Sequence, residues 1–145
     1  MSLTESGKRT QELRDRYQKF VVGSWYYTHA ASREKVYVHY NLSENQKYTM
    51  YCKLAHRDSI SVDGKPVYGD WEVEEEVAEG DWSLRCRDVE GNLENQLILE
   101  EHHEHSVVAS VNQFVYADEN ILVFNDIWFR GKPNTYHRGN PGADF

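Results

Sequence analysis

Val21-Val22-Gly23-Ser24-Trp25-Tyr26-Tyr27-Thr28-His29 is the stretch in which the hydrophobic period of this chain changes. Before it, Leu13, Tyr17, Phe20 and Val21 recur at helical spacing, and Glu12, Arg14, Asp15, Arg16 and Lys19 fill most of the intervening positions. Apolar residues three and four apart share one face of a helix, so the pattern predicts a helix over residues 10–21. After Gly23 the period becomes two and stays there, as in half-buried strands. Residues 24–29 read as a first, aromatic strand. Residues 35–41 form a second, with Val36, Val38 and Tyr40 turned away from Tyr37 and His39. Residues 47–54 form a third, with Tyr48, Met50, Cys52 and Leu54 on one face.

The same period continues to the end of the patterned region. Within residues 57–68, Asp63-Gly64-Lys65-Pro66 is a turn, since glycine permits positive φ and proline sets the next bend. Strands are then expected over 70–77, 81–87 and 92–100, separated by turns at Glu79-Gly80 and Glu90-Gly91-Asn92. Two more, 106–116 and 121–129, are joined by Ala117-Asp118-Glu119-Asn120. Eight strands joined mostly by hairpin-length loops predict a mainly β fold, an antiparallel up-and-down barrel with one N-terminal helix plugging an end. Closure removes exposed strand edges, and a barrel of this size is filled by side chains or holds one small ligand. A sandwich needs long crossovers, and only residues 57–68 leave room for one. The expected organisation is a single domain, 1–145: helix 10–21, barrel 23–130, and a tail 131–145 containing Pro133, Gly139, Pro141 and Gly142.

Composition bounds the function. A chain of 145 residues buries about 70% of its unfolded surface and needs neither disulfide nor metal to hold a core. With 39% hydrophobic and 13% aromatic residues it is not a disordered or low-complexity chain. The net charge is -8, the cations are scattered, and acidic clusters stand at residues 72–79 and 100–104. Nucleic acid, which selects a basic face, is excluded as an expected partner, and so is an anionic membrane. No run of about 18 apolar residues spans a bilayer, and Met1 to Asp15 lacks the apolar core of a signal peptide. A cytoplasmic protein follows, with Cys52 and Cys86 as reduced core thiols and the sequon at Asn41 unused.

A weak internal repeat points further. Gly69-Asp70-Trp71 and Gly80-Asp81-Trp82 each open an expected strand, as Gly23-Ser24-Trp25 opens the first. A helical turn, then Gly-x-Trp on the first strand, then a meander: from residue 9 to 130 this architecture resembles the lipocalin-like (calycin) barrels, intracellular type. The resemblance implies that Trp25 packs under a cation near the end of the last strand. Arg130, just after Ile127-Trp128-Phe129, matches that position, and the pair is a structural cation–π closure. The chain departs from secreted members: it lacks their Thr-Asp-Tyr motif, C-terminal helix, disulfide and signal peptide, so their transport role is not carried over.

Alternation from Trp25 puts Tyr27 and His29 inside; from Trp71 it puts Val73 and Glu75 inside, and from Trp82, Leu84 and Cys86. With Val38, Tyr40, Tyr48 and Met50 these line an apolar interior carrying a few hydroxyls, one imidazole and one carboxylate. Such walls describe a site for a small, largely apolar or aromatic molecule, with no cofactor. The competing reading is an interior packed solid by the same aromatics. The resemblance also implies an alternative, an isomerase, cyclase or lyase, in which Tyr27, His29 and Glu75 act as acid and base without a metal. The run Glu101-His102-His103-Glu104-His105 has metal-ligand chemistry, but adjacent strand residues face opposite ways and it reads as a solvated turn. A haem held by His29 or His39 has no motif behind it. Phosphate loops, nucleophile elbows and Cys-x-x-Cys pairs are absent from the sequence. The tail, with Tyr136, His137, Arg138 and Phe145, either docks on a second copy to form a homo-oligomer or lies loose.

Overall fold

The computed structural model describes residues 5–125 and 133–145. Helix α1 (Glu5–Val21) is followed by β1 (Gly23–Ala30), β2 (Glu34–Leu42), β3 (Lys47–His56), β4 (Ser59–Val62), β5 (Lys65–Tyr68), β6 (Glu72–Val89), β7 (Asn92–His102), β8 (Val107–Ala117), β9 (Ile121–Asn125) and β10 (Pro133–Arg138). The fold is mainly β, an antiparallel barrel with one N-terminal helix. Its strands follow the order β1-β10-β9-β8-β7-β6-β3-β2, with β4 and β5 apart as a two-stranded sheet. Neighbours in space are neighbours in the chain, apart from the inserted hairpin and the closing pair. No helix among the described residues is long and apolar enough to cross a membrane.

Ten strands form among the described residues where eight are expected from the sequence, and three departures account for this. The expected strands 70–77 and 81–87 are one strand, β6, which runs straight through Glu79-Gly80. Glycine there answers a close approach rather than a turn: a Cβ on Gly80 would lie 1.8 Å from the Glu100 carbonyl oxygen. The stretch 57–68 is itself a hairpin, with Asp63 and Gly64 both at positive φ (52° and 76°), the requirement of a tight two-residue connection. Residues 133–138, expected as tail, form β10. It pairs with β9 from Pro133↔Asn125 to His137↔Ile121, and with β1 at Trp25↔Arg138 and Tyr26↔His137.

Strand β6 changes partner along its length. From Glu72 to Asp81 it pairs with β3, and from Gly80 to Val89 with β7, so only Gly80 and Asp81 pair on both sides. Among the described residues, the other edge of the first half of β6 has no strand beside it. The continuous register also settles which residues face inward. Trp82 is fully buried in the core, so the even positions of β6 share its face and the odd ones face out. Trp71 and Trp82 are an odd number of residues apart and cannot both be inside. Val73 and Glu75, expected inside, therefore lie outside, paired with Ala55 and Lys53. Val73 is 50% exposed. Trp71 lies against cations, with Lys35 Nζ 4.7 Å and Arg57 Cζ 4.3 Å from its ring.

The helix covers β6 and part of β8 and adds Tyr17, Phe20 and Val21 to the core around Trp25. Residues 139–145 fold back over the outer face of β1 and β2 rather than hanging loose. The Gly139 amide donates to the Ser24 carbonyl at 2.8 Å. The Tyr37 hydroxyl donates to Asn140 Oδ1 and accepts from the Gly142 amide. Tyr37 thus faces outward and is nevertheless buried.

Candidate functional site

Of the residues assigned to a ligand site from alternation, Val38, Tyr40, Tyr48, Met50, Trp82 and Leu84 are buried members of the core, and Tyr27 packs half-buried against it. Their packing divides the interior into two parts. Between β2, β9 and β10, Phe124 and Tyr136 stack with ring centres 4.7 Å apart, and Tyr40 lies 6.0 Å and 5.7 Å from them. Tyr27 closes on Tyr136 at 5.8 Å. That half is filled by side chains. His29 shares the inward face of β1 but sits at the strand's exposed end. Glu75 is on the outer face of β6, so the wall separates it from Tyr27 and His29, and the structure does not bring the three together.

The unfilled space lies where β6 changes partner. A cavity of about 140 Å³ has Tyr40, Tyr48, Met50, Ala78 and Leu99 as walls, with Glu76, Glu101 and Ser110 at its rim. Apart from Val77, every residue bordering it has the inward parity set by Tyr48↔Gly80, Trp82↔Leu99 and Leu99↔Ser110. It is therefore the barrel interior, opening sideways past the unpaired edge of β6. A groove of about 610 Å³ adjoins it, shares Met50, Val77, Ala78 and Glu101, and continues over His39, Tyr51, Glu79, His102 and His103.

The electrostatics of this region are negative. Burial, followed by the charges of Glu101 and Asp81, pushes the Tyr48 phenol up to about 12. Tyr48 therefore remains a neutral hydroxyl throughout the physiological range. Asp81 is held below the usual carboxylate range, first by its hydrogen bond from Lys47, with a further contribution from His102. His102 Nε2 lies 2.8 Å from Asp81 Oδ2, and His103 Nε2 lies 3.6 Å from Glu101. Burial lowers the His39 imidazole, whose Nε2 is enclosed with no hydrogen-bond partner. Among the described residues, no three His, Cys, Asp or Glu side chains come together as a metal cage. Cys52 and Cys86 are both buried and are not joined in a disulfide.

A structural site joins the barrel to the C-terminal end of the helix. Arg138 Cζ sits 3.9 Å over the Trp25 ring. Its Nη1 and Nη2 donate to the Val22 and Phe20 carbonyls at 2.6 Å and 2.9 Å, and its Nε donates to the Glu119 carbonyl at 3.1 Å. The Trp25 indole N–H donates to the Val21 carbonyl at 2.8 Å. One cation and one indole thus satisfy three carbonyls at and just past the helix C-terminus, those of Phe20, Val21 and Val22. Arg130, the residue expected over Trp25, lies outside the described residues; Arg138 occupies that role in the structure.

Sequence reasoning missed Glu76, Ala78, Leu99, Glu101 and Ser110. The signal that finds them is the parity of Trp82 carried back along an unbroken β6 and across to β7 and β8. No family model matches this chain, and no curated protein or solved structure matches it.

Proposed function

We propose that this protein is a calycin-type barrel that binds a small molecule through one aromatic or apolar ring placed in the Tyr40–Tyr48–Met50–Leu99 cavity. The kinship reading is supported by the helix leading into Gly23-Ser24-Trp25, by the meander, and by the arginine stacked on Trp25 from the last strand. The observation that carries the binding reading is the cavity: at about 140 Å³ it matches the space that takes a benzene-sized guest in an apolar protein interior. The adjoining groove gives the rest of such a ligand a half-polar bed, and the two together are in the size range of small-molecule sites.

Met50 supplies the test, because the chain has only two methionines and the other is Met1. In protein carrying labelled methionine methyls, toluene should shift the Met50 resonance saturably and leave that of Met1 in place. Ala78→Leu, which fills the cavity from β6, should abolish the shift while the circular dichroism spectrum stays the same. A Met50 signal indifferent to toluene, or a shift unchanged in Ala78→Leu, overturns the reading.

A further inference from the structure

We infer that the molecule held in this cavity carries a positive charge, an ammonium or amidinium group one or two bonds from its ring. The inference rests on the binding site proposed above and names the chemical class of its ligand. Glu76 and Glu101 are the only charged residues bordering the cavity, and no lysine or arginine does so among the described residues. Glu79 extends the same sign into the adjoining groove.

The two carboxylates meet at the mouth of the cavity from different strands, Glu76 exposed and Glu101 partly buried. Glu101 Cα pairs with Gly80, where β6 and β7 approach so closely that no side chain fits between them, and its side chain is only 36% exposed. Glu76 pairs with Cys52 and faces inward at the mouth, with no ion pair among the described residues. A neutral ring entering here gains nothing from the two carboxylates at the mouth, whereas a cationic head is attracted to them. The volume sets the size: one ring fills about 140 Å³, so the charged group must sit at the rim between strands β6 and β7. Burial first, and then the charges of Glu101 and Asp81, disfavour a negative charge at the Tyr48 phenol beside this mouth. An anionic ligand would face the like charges of Glu76 and Glu101.

Three probes of nearly the same shape test the inference: benzylamine, benzyl alcohol and toluene, each titrated against the Met50 methyl signal. Benzylammonium should bind about tenfold more tightly than benzyl alcohol, the effect of pairing its charge with the two rim carboxylates. Glu76→Gln together with Glu101→Gln should remove that ratio. Added sodium chloride should erode the benzylammonium affinity alone. Equal affinity for the three probes overturns the positive charge and leaves the ring-binding reading standing. Failure of all three, toluene included, overturns both. The Glu→Gln changes lie at the rim, and an unchanged melting temperature separates their effect on binding from damage to the fold.

Discussion

Arg138 contacts two chain segments through one planar group, covering Trp25 while its three nitrogens reach carbonyls of the helix end and of the β8–β9 turn. Lysine can keep the charge but cannot make the fork or the flat stack. Arg138→Ala should therefore cost about 2 kcal/mol, because charge-assisted hydrogen bonds near the surface are discounted by solvent. Arg138→Lys should restore less than half of it; both are read from urea unfolding midpoints. Full recovery by lysine would reduce the contact to a point charge. His39 carries a prediction of a different kind. Burial lowers its imidazole from 6.5 in the folded chain, so on acidification the unfolded chain takes up the proton first. Its contribution is intact above the unfolded value and declines as the pH falls below about 6.5, giving stability a positive slope with pH in that window. In His39→Phe that component should vanish: the stability of the wild type relative to the variant should be flat above about pH 7 and shrink below it. Parallel pH profiles for the two proteins would exclude His39 as the source.

Strand β6 shows where local pattern stops specifying the fold. Gly80 lies in a Glu-Gly-Asp stretch that reads as a turn, and a glycine needed for close approach has the same local appearance as one needed for positive φ. The structure distinguishes them by the Glu100 carbonyl, 1.8 Å from where a Cβ would stand. Gly80→Ala should therefore cost about 3 kcal/mol, the upper range for forcing atoms into a packed contact. Gly64→Ala, with open space around it but a positive φ of 76°, should cost about 1 kcal/mol. Thermal or urea unfolding of the two variants checks the order, and a larger loss at Gly64 would refute the close-contact account. The helix and β1 to β3 were legible because period and burial coincide there: Val36, Val38, Tyr40, Tyr48 and Met50 all face the core as alternation requires. β10 was not legible. Six residues with one fully buried ring, Tyr136, standing between Pro133 and Gly139, show too little alternation, and membership in the barrel comes from pairing with β1 and β9. The candidate site was half legible for the same reason. Tyr40, Tyr48 and Met50 belong to β2 and β3, whereas Glu76, Ala78 and Glu101 depend on the parity of a strand whose length only the tertiary pairing reveals.

At the scale of the molecule, the edge of β6 that has no strand beside it among the described residues and the net charge of -8 belong to one argument. A strand edge with free amides and carbonyls is a template for another strand, and charged side chains along it suppress that pairing. The first half of β6 carries Glu72, Glu74, Glu75, Glu76 and Glu79. Antiparallel pairing of two such edges from separate molecules would set carboxylates against carboxylates, which is destabilising for directly opposed like charges. The same crowding works against the folded monomer through self-repulsion. Both effects should respond to removal of charge along this strand. Glu74→Gln, Glu75→Gln and Glu79→Gln introduced together should raise the melting temperature by a few degrees, about 2–4 °C for each kcal/mol of repulsion relieved. The same variant should show a larger mass by light scattering at matched concentration, because the edge has lost its protection. Sodium chloride raised from roughly 0.01 to roughly 0.15 M should shift the parent protein's melting temperature in the same direction, as the screening length falls from about 30 to about 8 Å. If the variant melts higher but keeps the parent's mass, charge repulsion is confirmed and the edge is protected by its geometry, with the β7–β8 rim shielding it. If neither quantity moves, the acidic run of β6 is a solvated face with no bearing on stability or association.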